Sequence, residues 1–265
     1  MWFERLRNRS TTPLAQARPH SVTYRGKVAA RDVEREPVPE ASDLRVFDVA
    51  AALDINEARM RAIESLDLPL EKRRVLDVGS GPGHFTRFYT SRGCEVVAID
   101  GRADNVDEFR RRNPGVRAVL ADVQSFDLTT LGRFDIVHCL GLIYHLESPI
   151  AALRQMFRVC DGVLLLETLV MDSPRPYLEL ADEPKTVNQA LSGIGCRPSP
   201  AFVTMALNRV GFTHVYTLAE PPDHDDFRFE WRDDGAWQRG GHPLRCMFVA
   251  ALRQLPNPGL IPLTA

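Results

Sequence analysis

Val75-Leu76-Asp77-Val78-Gly79-Ser80-Gly81-Pro82-Gly83 decides how the chain is read. An apolar strand runs straight into a turn with glycine at every second position, so the backbone is free of Cβ constraints where a ligand can approach it closely. The spacing is GxGxG rather than the GxGxxG of dinucleotide enzymes, and Asp77 stands two residues ahead of the first glycine. A pyrophosphate at a helix N-terminus does not favour an added carboxylate, whereas a ligand carrying an amine and a sulfonium does.

Working outward, Glu95-Val96-Val97-Ala98-Ile99 reads as a second buried strand ending in Asp100, a carboxylate placed to accept from both hydroxyls of a ribose. His84 to Arg92, between the two strands, has helical composition. Ala118-Val119-Leu120 reads as a third strand, leading to Asp122 and Val123, where a carboxylate followed by a backbone amide suits the edge of an adenine. Phe134 to Leu140 reads as a fourth, followed by Gly141 and the polar pair Tyr144-His145, and Gly162 to Leu166 as a fully apolar fifth of the kind buried on both faces.

These strand ends, in this order over about residues 75 to 252, resemble those of the class I S-adenosylmethionine-dependent methyltransferases. The resemblance implies an α/β, Rossmann-like, seven-stranded, mostly parallel sheet with helices on both faces and an antiparallel C-terminal hairpin. It implies S-adenosyl-L-methionine as cofactor, held by Asp77, Gly79, Gly81, Gly83, Asp100, Asp122, Val123 and Leu140. A narrower similarity lies in Gly141-Leu142-Ile143-Tyr144-His145-Leu146-Glu147-Ser148-Pro149 and in Leu165 to Asp172, which look like the tRNA wobble-uridine carboxymethyltransferase branch. There a tyrosine and an arginine hold the carboxylate of a carboxylated donor, and the matching positions are Tyr144 and Arg245. That branch also carries a Lys-Gly-Pro-Phe segment ahead of the domain. The local counterpart, Leu44-Arg45-Val46-Phe47, lacks its lysine.

At 265 residues and 44% hydrophobic content the chain supports one substantial domain. A net charge of -2 gives no global attraction for a phosphate backbone, which argues against tRNA, although arginines and Lys27 make the first 42 residues basic. The five cysteines form no CxxC pair and read as free thiols, without a metal site. The start lacks the apolar stretch of a secretion signal, and no apolar run is long enough to span a bilayer, so a cytoplasmic location without membrane association is expected.

The expected organisation is a partly flexible arm over 1–42, the catalytic domain over 43–255 and a tail over 256–265. Asn56 to Leu66 and Pro149 to Arg158 carry apolar residues at helical spacing, and Ser199-Pro200 starts a helix that runs to about Gly211. His214 to Leu218 and Arg245 to Leu252 supply the hairpin. Two connections, 171–197 and 221–242, are longer than a compact domain needs, and their positions let both overhang the cofactor as lids.

Methyl transfer requires orientation, exclusion of water and removal of one proton from the acceptor. His145 is the best-placed base, its alternative role being to pack a helix cap or the adenosine. Glu167 either takes part in catalysis or makes a buried hydrogen bond to the lid. The run from His224 to Trp231 either binds a polar aromatic acceptor, Trp231 foremost, or is a solvated loop anchored by the tryptophan. Arg245, a charge in an apolar strand, needs an anion: a ligand carboxylate, Glu167 or Glu230. The expectation is therefore ordinary S-adenosylmethionine as donor and a small-molecule oxygen or nitrogen as acceptor. The alternatives are tRNA and a non-catalytic cofactor-binding scaffold.

Overall fold

The computed structural model describes residues 44–184 and 189–263, so the basic arm expected over 1–42 lies outside it. Five strands pair in parallel: β1 (Arg74–Val78), β2 (Glu95–Asp100), β3 (Arg117–Leu120), β4 (Phe134–Leu140) and β5 (Cys160–Leu169). Their near-continuous Val, Ile and Leu content suits strands covered on both faces. A short hairpin, β6 (Leu178–Asp182) and β7 (Ile194–Pro198), stands apart from the main sheet, as does the two-residue pair β9 (Gln238–Arg239) and β10 (His242–Pro243). β8 (His214–Leu218) and β11 (Arg245–Ala251) join the main sheet antiparallel, β11 against β5.

The sheet has eight strands rather than seven, because Leu260–Leu263 pairs antiparallel with β8 as β12. Leu260 and Leu263 are buried there, while Pro262 hides the strand in the sequence. A proline donates nothing to a ladder and is tolerated on an edge strand, which β12 is.

The full order is β3-β2-β1-β4-β5-β11-β8-β12. From β1 the chain winds outward through β2 to β3, then returns to β4 on the other side of β1. Open α/β sheets bind ligands beyond the carboxyl ends of the strands at such a reversal.

Helices α1 (Ala50–Ser65), α2 (Thr86–Thr90), α3 (Ala103–Arg112), α4 (Pro149–Val159) and α5 (Pro200–Val210) cover the sheet. α1 starts six residues ahead of the expected Asn56, since it opens on three alanines, two of them exposed, which favour helix without adding an apolar stripe. α5 begins where the Ser199-Pro200 signal placed it. The Ser199 hydroxyl accepts from the Phe202 amide at 3.1 Å and from the Tyr177 amide at 3.0 Å, and donates to the Arg175 carbonyl at 2.6 Å. One buried side chain thus caps a helix and fastens the approach to β6.

Replacing a serine N-cap by alanine costs about 0.5–2 kcal/mol. Because this hydroxyl also satisfies the Tyr177 amide and the Arg175 carbonyl, Ser199→Ala is expected at the upper end, as a lowered urea midpoint with an unchanged m-value. An unchanged midpoint would contradict that double role.

Candidate active site

A cavity of about 640 Å³ opens at the strand reversal, between the turn after β1 and the segment after β4. Gly79 adopts φ 73° at the turn, and a Cβ there would stand 2.9 Å from Leu142. Only glycine lets the two strand ends approach this closely. Gly79, Gly81, Asp100, Asp122, Val123 and Leu140 all line the cavity, whereas Gly83 does not.

Asp100 is fixed by the turn it faces. Its Oδ2 accepts from the Gly81 amide at 2.9 Å, and its Oδ1 accepts from the Arg102 amide at 2.9 Å and from Asn105 Nδ2 at 3.1 Å. Burial raises its carboxyl above the usual range, opposed by the Arg102 and Gly81 amides. A carboxylate has about four acceptor positions, so room remains for a further donor. At the other end Asp122 Oδ1 accepts from the Gln124 amide at 2.9 Å, which sets the carboxylate at the cavity wall.

Asp77 lies behind this surface rather than in it, being fully buried and absent from the cavity lining. Its Oδ2 has no hydrogen-bond partner among the described residues. Burial, reinforced by Asp100, pushes its carboxyl up to about 7. Its register partner on β4 is His138, whose Nδ1 meets the Tyr89 hydroxyl at 2.8 Å. Burial drives that imidazole down to about 3, so it is neutral.

The other half of the cavity carries Tyr144, His145, Glu183, Arg197, His224, Asp226, His242 and Arg245. His145 Nδ1 lies 2.7 Å from Glu183 Oε2, and Arg197 Nη1 donates to Glu183 Oε1 at 3.0 Å. Burial alone would raise the Glu183 carboxyl, but the contacts with His145 and Arg197 hold it below the ordinary range. Across the cavity, His242 Nδ1 sits 3.2 Å from Asp226 Oδ1.

Glu167 is placed differently from a catalytic group. It is fully buried, does not line the cavity, and is held by Arg59 Nη2 at 2.5 Å and Arg245 Nη1 at 3.0 Å. Its role here is to neutralise two guanidiniums. Arg245 also donates to Asp226 Oδ2 at 3.0 Å. Of the two internal partners weighed for Arg245, Glu167 is the one found. Glu230 instead pairs on the surface with Arg232. Trp231 is likewise displaced from the expected site: it lines a separate cavity of about 770 Å³ beneath the second insertion, which shares Arg245 as a wall.

Both insertions reach the site. Arg102 Nη2 donates to the Gln189 carbonyl at 2.9 Å and the Ala190 carbonyl at 3.3 Å. Leu191 presses on the turn after β2 so closely that a Cβ on Gly101 would come within 2.2 Å of it.

Asp226 falls within the His224 to Trp231 run that the sequence offered, whereas Glu183 and Arg59 had no place among the expected site residues. Of these two, only Arg59 carried a signal, standing four residues from both Ile55 and Ile63 and hence on the apolar stripe of α1. A charge on such a stripe needs a buried partner. Among the described residues, no group of three or more His, Cys, Asp or Glu is placed to hold a metal, and no helix is long and apolar enough to cross a membrane.

The family model described as Methyltransferase domain matches residues 48–217. The chain is 34% identical over 146 residues to the malonyl-[acyl-carrier protein] O-methyltransferase of Enterobacter lignolyticus, covering 52% of this chain and 57% of that protein. It is 31% identical over 159 residues to the tRNA U34 carboxymethyltransferase of Actinobacillus succinogenes, covering 57% and 49% respectively. The chain therefore spans about half the length of the curated relatives it matches. Among solved structures, the N-terminal domain of EvdMO1 in the presence of SAH and D-fucose superimposes with a TM-score of 0.58 at 24% identity, over 74% of this chain and 83% of that one. At that identity the likeness concerns the fold.

The raised Asp77 carboxyl gives a signed prediction. The folded chain keeps this proton where the unfolded chain has released it, so the group subtracts stability as pH climbs from about 4 to about 7 and by a constant amount above that. Asp77→Asn, which cannot ionise, is expected to gain stability relative to the natural chain across that window, read from urea midpoints. A difference that stays flat between those pH values would show that Asp77 is ionised throughout.

Proposed function

Because the chain belongs to the methyltransferase domain family, we propose that it moves a methyl group from S-adenosylmethionine to an oxygen or nitrogen of a small polar acceptor, with His145 as general base. The observation that carries this reading is that the glycine turn with Asp100 and the His145 imidazole are walls of one cavity.

The residues fit such a donor. The buried Asp100 carboxyl suits ribose hydroxyls, and Asp122 and the Val123 amide suit an adenine edge, while Asp77 stands behind the turn and outside the cavity lining. The donor, when bound, supplies a methyl group made electrophilic by its sulfonium. Everything else falls to the chain. Leu191 and Arg197 bring the first insertion to the cavity wall, where its ordering over a bound donor shields the site from water. His145 Nε2, with Nδ1 turned to Glu183, takes the acceptor proton as the new bond forms.

Charge balance supports ordinary S-adenosylmethionine over a carboxylated donor. Arg59 and Arg245 are matched by Glu167 and Asp226, so these two guanidiniums need no ligand anion. A second reading, carboxymethyl transfer to tRNA, is favoured by the tRNA U34 carboxymethyltransferase relatives and by Tyr144 and Arg245 sharing the cavity, with the guanidinium 5.3 Å from the ring centroid. It would require Arg245 to exchange an internal carboxylate for one on the donor.

Two measurements test the proposal together. Asp100→Ala should weaken S-adenosylmethionine in calorimetry by roughly 10- to 150-fold, the equivalent of about 1.5–3 kcal/mol for a lost charge-assisted contact. With the methyl-labelled donor and a fractionated cell extract, label should enter the small-molecule fraction, and His145→Ala should slow that transfer by about 10²- to 10⁴-fold. Label entering RNA instead would select the second reading, and full transfer by His145→Ala would remove the base.

A further inference from the structure

Glu183 belongs to none of the strand-end positions that hold a nucleoside, yet it is among the most engaged carboxylates of the chain. It follows β6 directly and is buried. Its Oε2 meets His145 Nδ1 at 2.7 Å and accepts from the Ala190 amide at 3.1 Å, while its Oε1 accepts from Arg197 at 3.0 Å. The hairpin is shaped to allow this: a Cβ on Gly195 would stand 2.6 Å from the Glu183 carboxyl and 2.6 Å from the Tyr144 carbonyl oxygen. Arg197 also donates to that Tyr144 carbonyl at 3.3 Å, which fastens the hairpin to the turn that carries His145.

We propose that Glu183 is a positioning residue, and that the β6–β7 hairpin delivers it to fix His145 in the tautomer with a proton on Nδ1 and a lone pair on Nε2. A carboxylate held ionised by Arg197 and a backbone amide can only accept, so the facing Nδ1 must donate. In the neutral ring Nε2 then carries the lone pair, on a side chain that lines the cavity. A neutral imidazole with the opposite tautomer would present an N–H to the acceptor and could not take its proton. When the imidazole does take that proton, the adjacent anion stabilises the resulting cation.

The same contacts link the base to the nucleoside cradle. The Arg102 amide donates to Asp100, the Arg102 side chain holds the carbonyls of Gln189 and Ala190, and the Ala190 amide donates to Glu183. Ordering around Asp100 is thereby passed through Ala190 to the carboxylate that orients the ring.

The functional meaning of the tautomer rests on the reading of His145 as base, but its measurement does not. The test is the long-range ¹H–¹⁵N spectrum of the histidine-labelled full chain with S-adenosylhomocysteine added, at about pH 8, above the ordinary imidazole range. The His145 signals are identified by their loss in His145→Ala. The natural chain should show Nδ1 protonated and Nε2 bare. Glu183→Leu should move His145 toward the Nε2-protonated form, and Glu183→Gln, whose carbonyl oxygen still accepts, should restore the original tautomer in part. S-adenosylhomocysteine affinity should change by less than about threefold in the Gln variant, which shows an intact fold. An Nε2-protonated ring in the natural chain, or an unchanged tautomer in Glu183→Leu, would overturn the proposal. A correct tautomer together with full methyl transfer by His145→Ala would leave the positioning role standing and remove the base.

Discussion

The site depends on a buried cluster of four charges: Arg59 from α1, Glu167 from β5, Arg245 from β11 and Asp226 from the second insertion. Each ion loses several kcal/mol of hydration on burial, and removing one partner from such a set costs about 3–5 kcal/mol because the rest is left uncompensated. The four elements are therefore held in one arrangement. The antiparallel register of β11 on β5 places Arg245 opposite Leu169 and Met247 opposite Glu167, so the two ionic side chains meet on a diagonal. α1 can dock only where Arg59 reaches the same carboxylate. With α1 and the insertion fixed, the Tyr144 ring, Asp226 and Arg245 become a rigid wall of the cavity.

The opposite wall is built from local geometry instead of buried charge. Gly81 and Arg102 present amides to Asp100 because the turns after β1 and β2 lie side by side at the strand reversal. The first insertion closes over both walls through Arg102, Leu191 and the Glu183 carboxylate. The turn around Asp100, the His145 ring and the first insertion thus share hydrogen bonds and assemble as one unit.

Much of this was legible in the sequence, and for a definable reason. Strand ends, glycine turns and a proline after a serine cap are local signals, so Asp100, Asp122, the glycine turn and Ser199 were placed from neighbours in the chain. Arg245 was legible as a charge that needs an anion, but not its choice of Glu167 over Glu230, which depends on strand register. Asp226 was legible only as one member of the polar run from His224 to Trp231, while Glu183 sits in an irregular connection with no period, and their partners lie 19 and 38 residues away in the chain. Pro262 concealed an edge strand, and Trp231 lines the second cavity, its ring 4.6 Å from that of Phe229 between centroids, because loop packing of this kind leaves no periodic trace.

Arg59 and Arg245 are matched in charge by Glu167 and Asp226 without a ligand, which favours a donor without an added carboxylate. Calorimetric competition between S-adenosylmethionine and its carboxylated counterpart on the natural chain tests it most directly. The account predicts that S-adenosylmethionine binds at least as tightly, because an extra anion would meet Arg245 already paired with Glu167 and Asp226. Much tighter binding of the carboxylated donor, with the preference erased by Arg245→Leu, would contradict it.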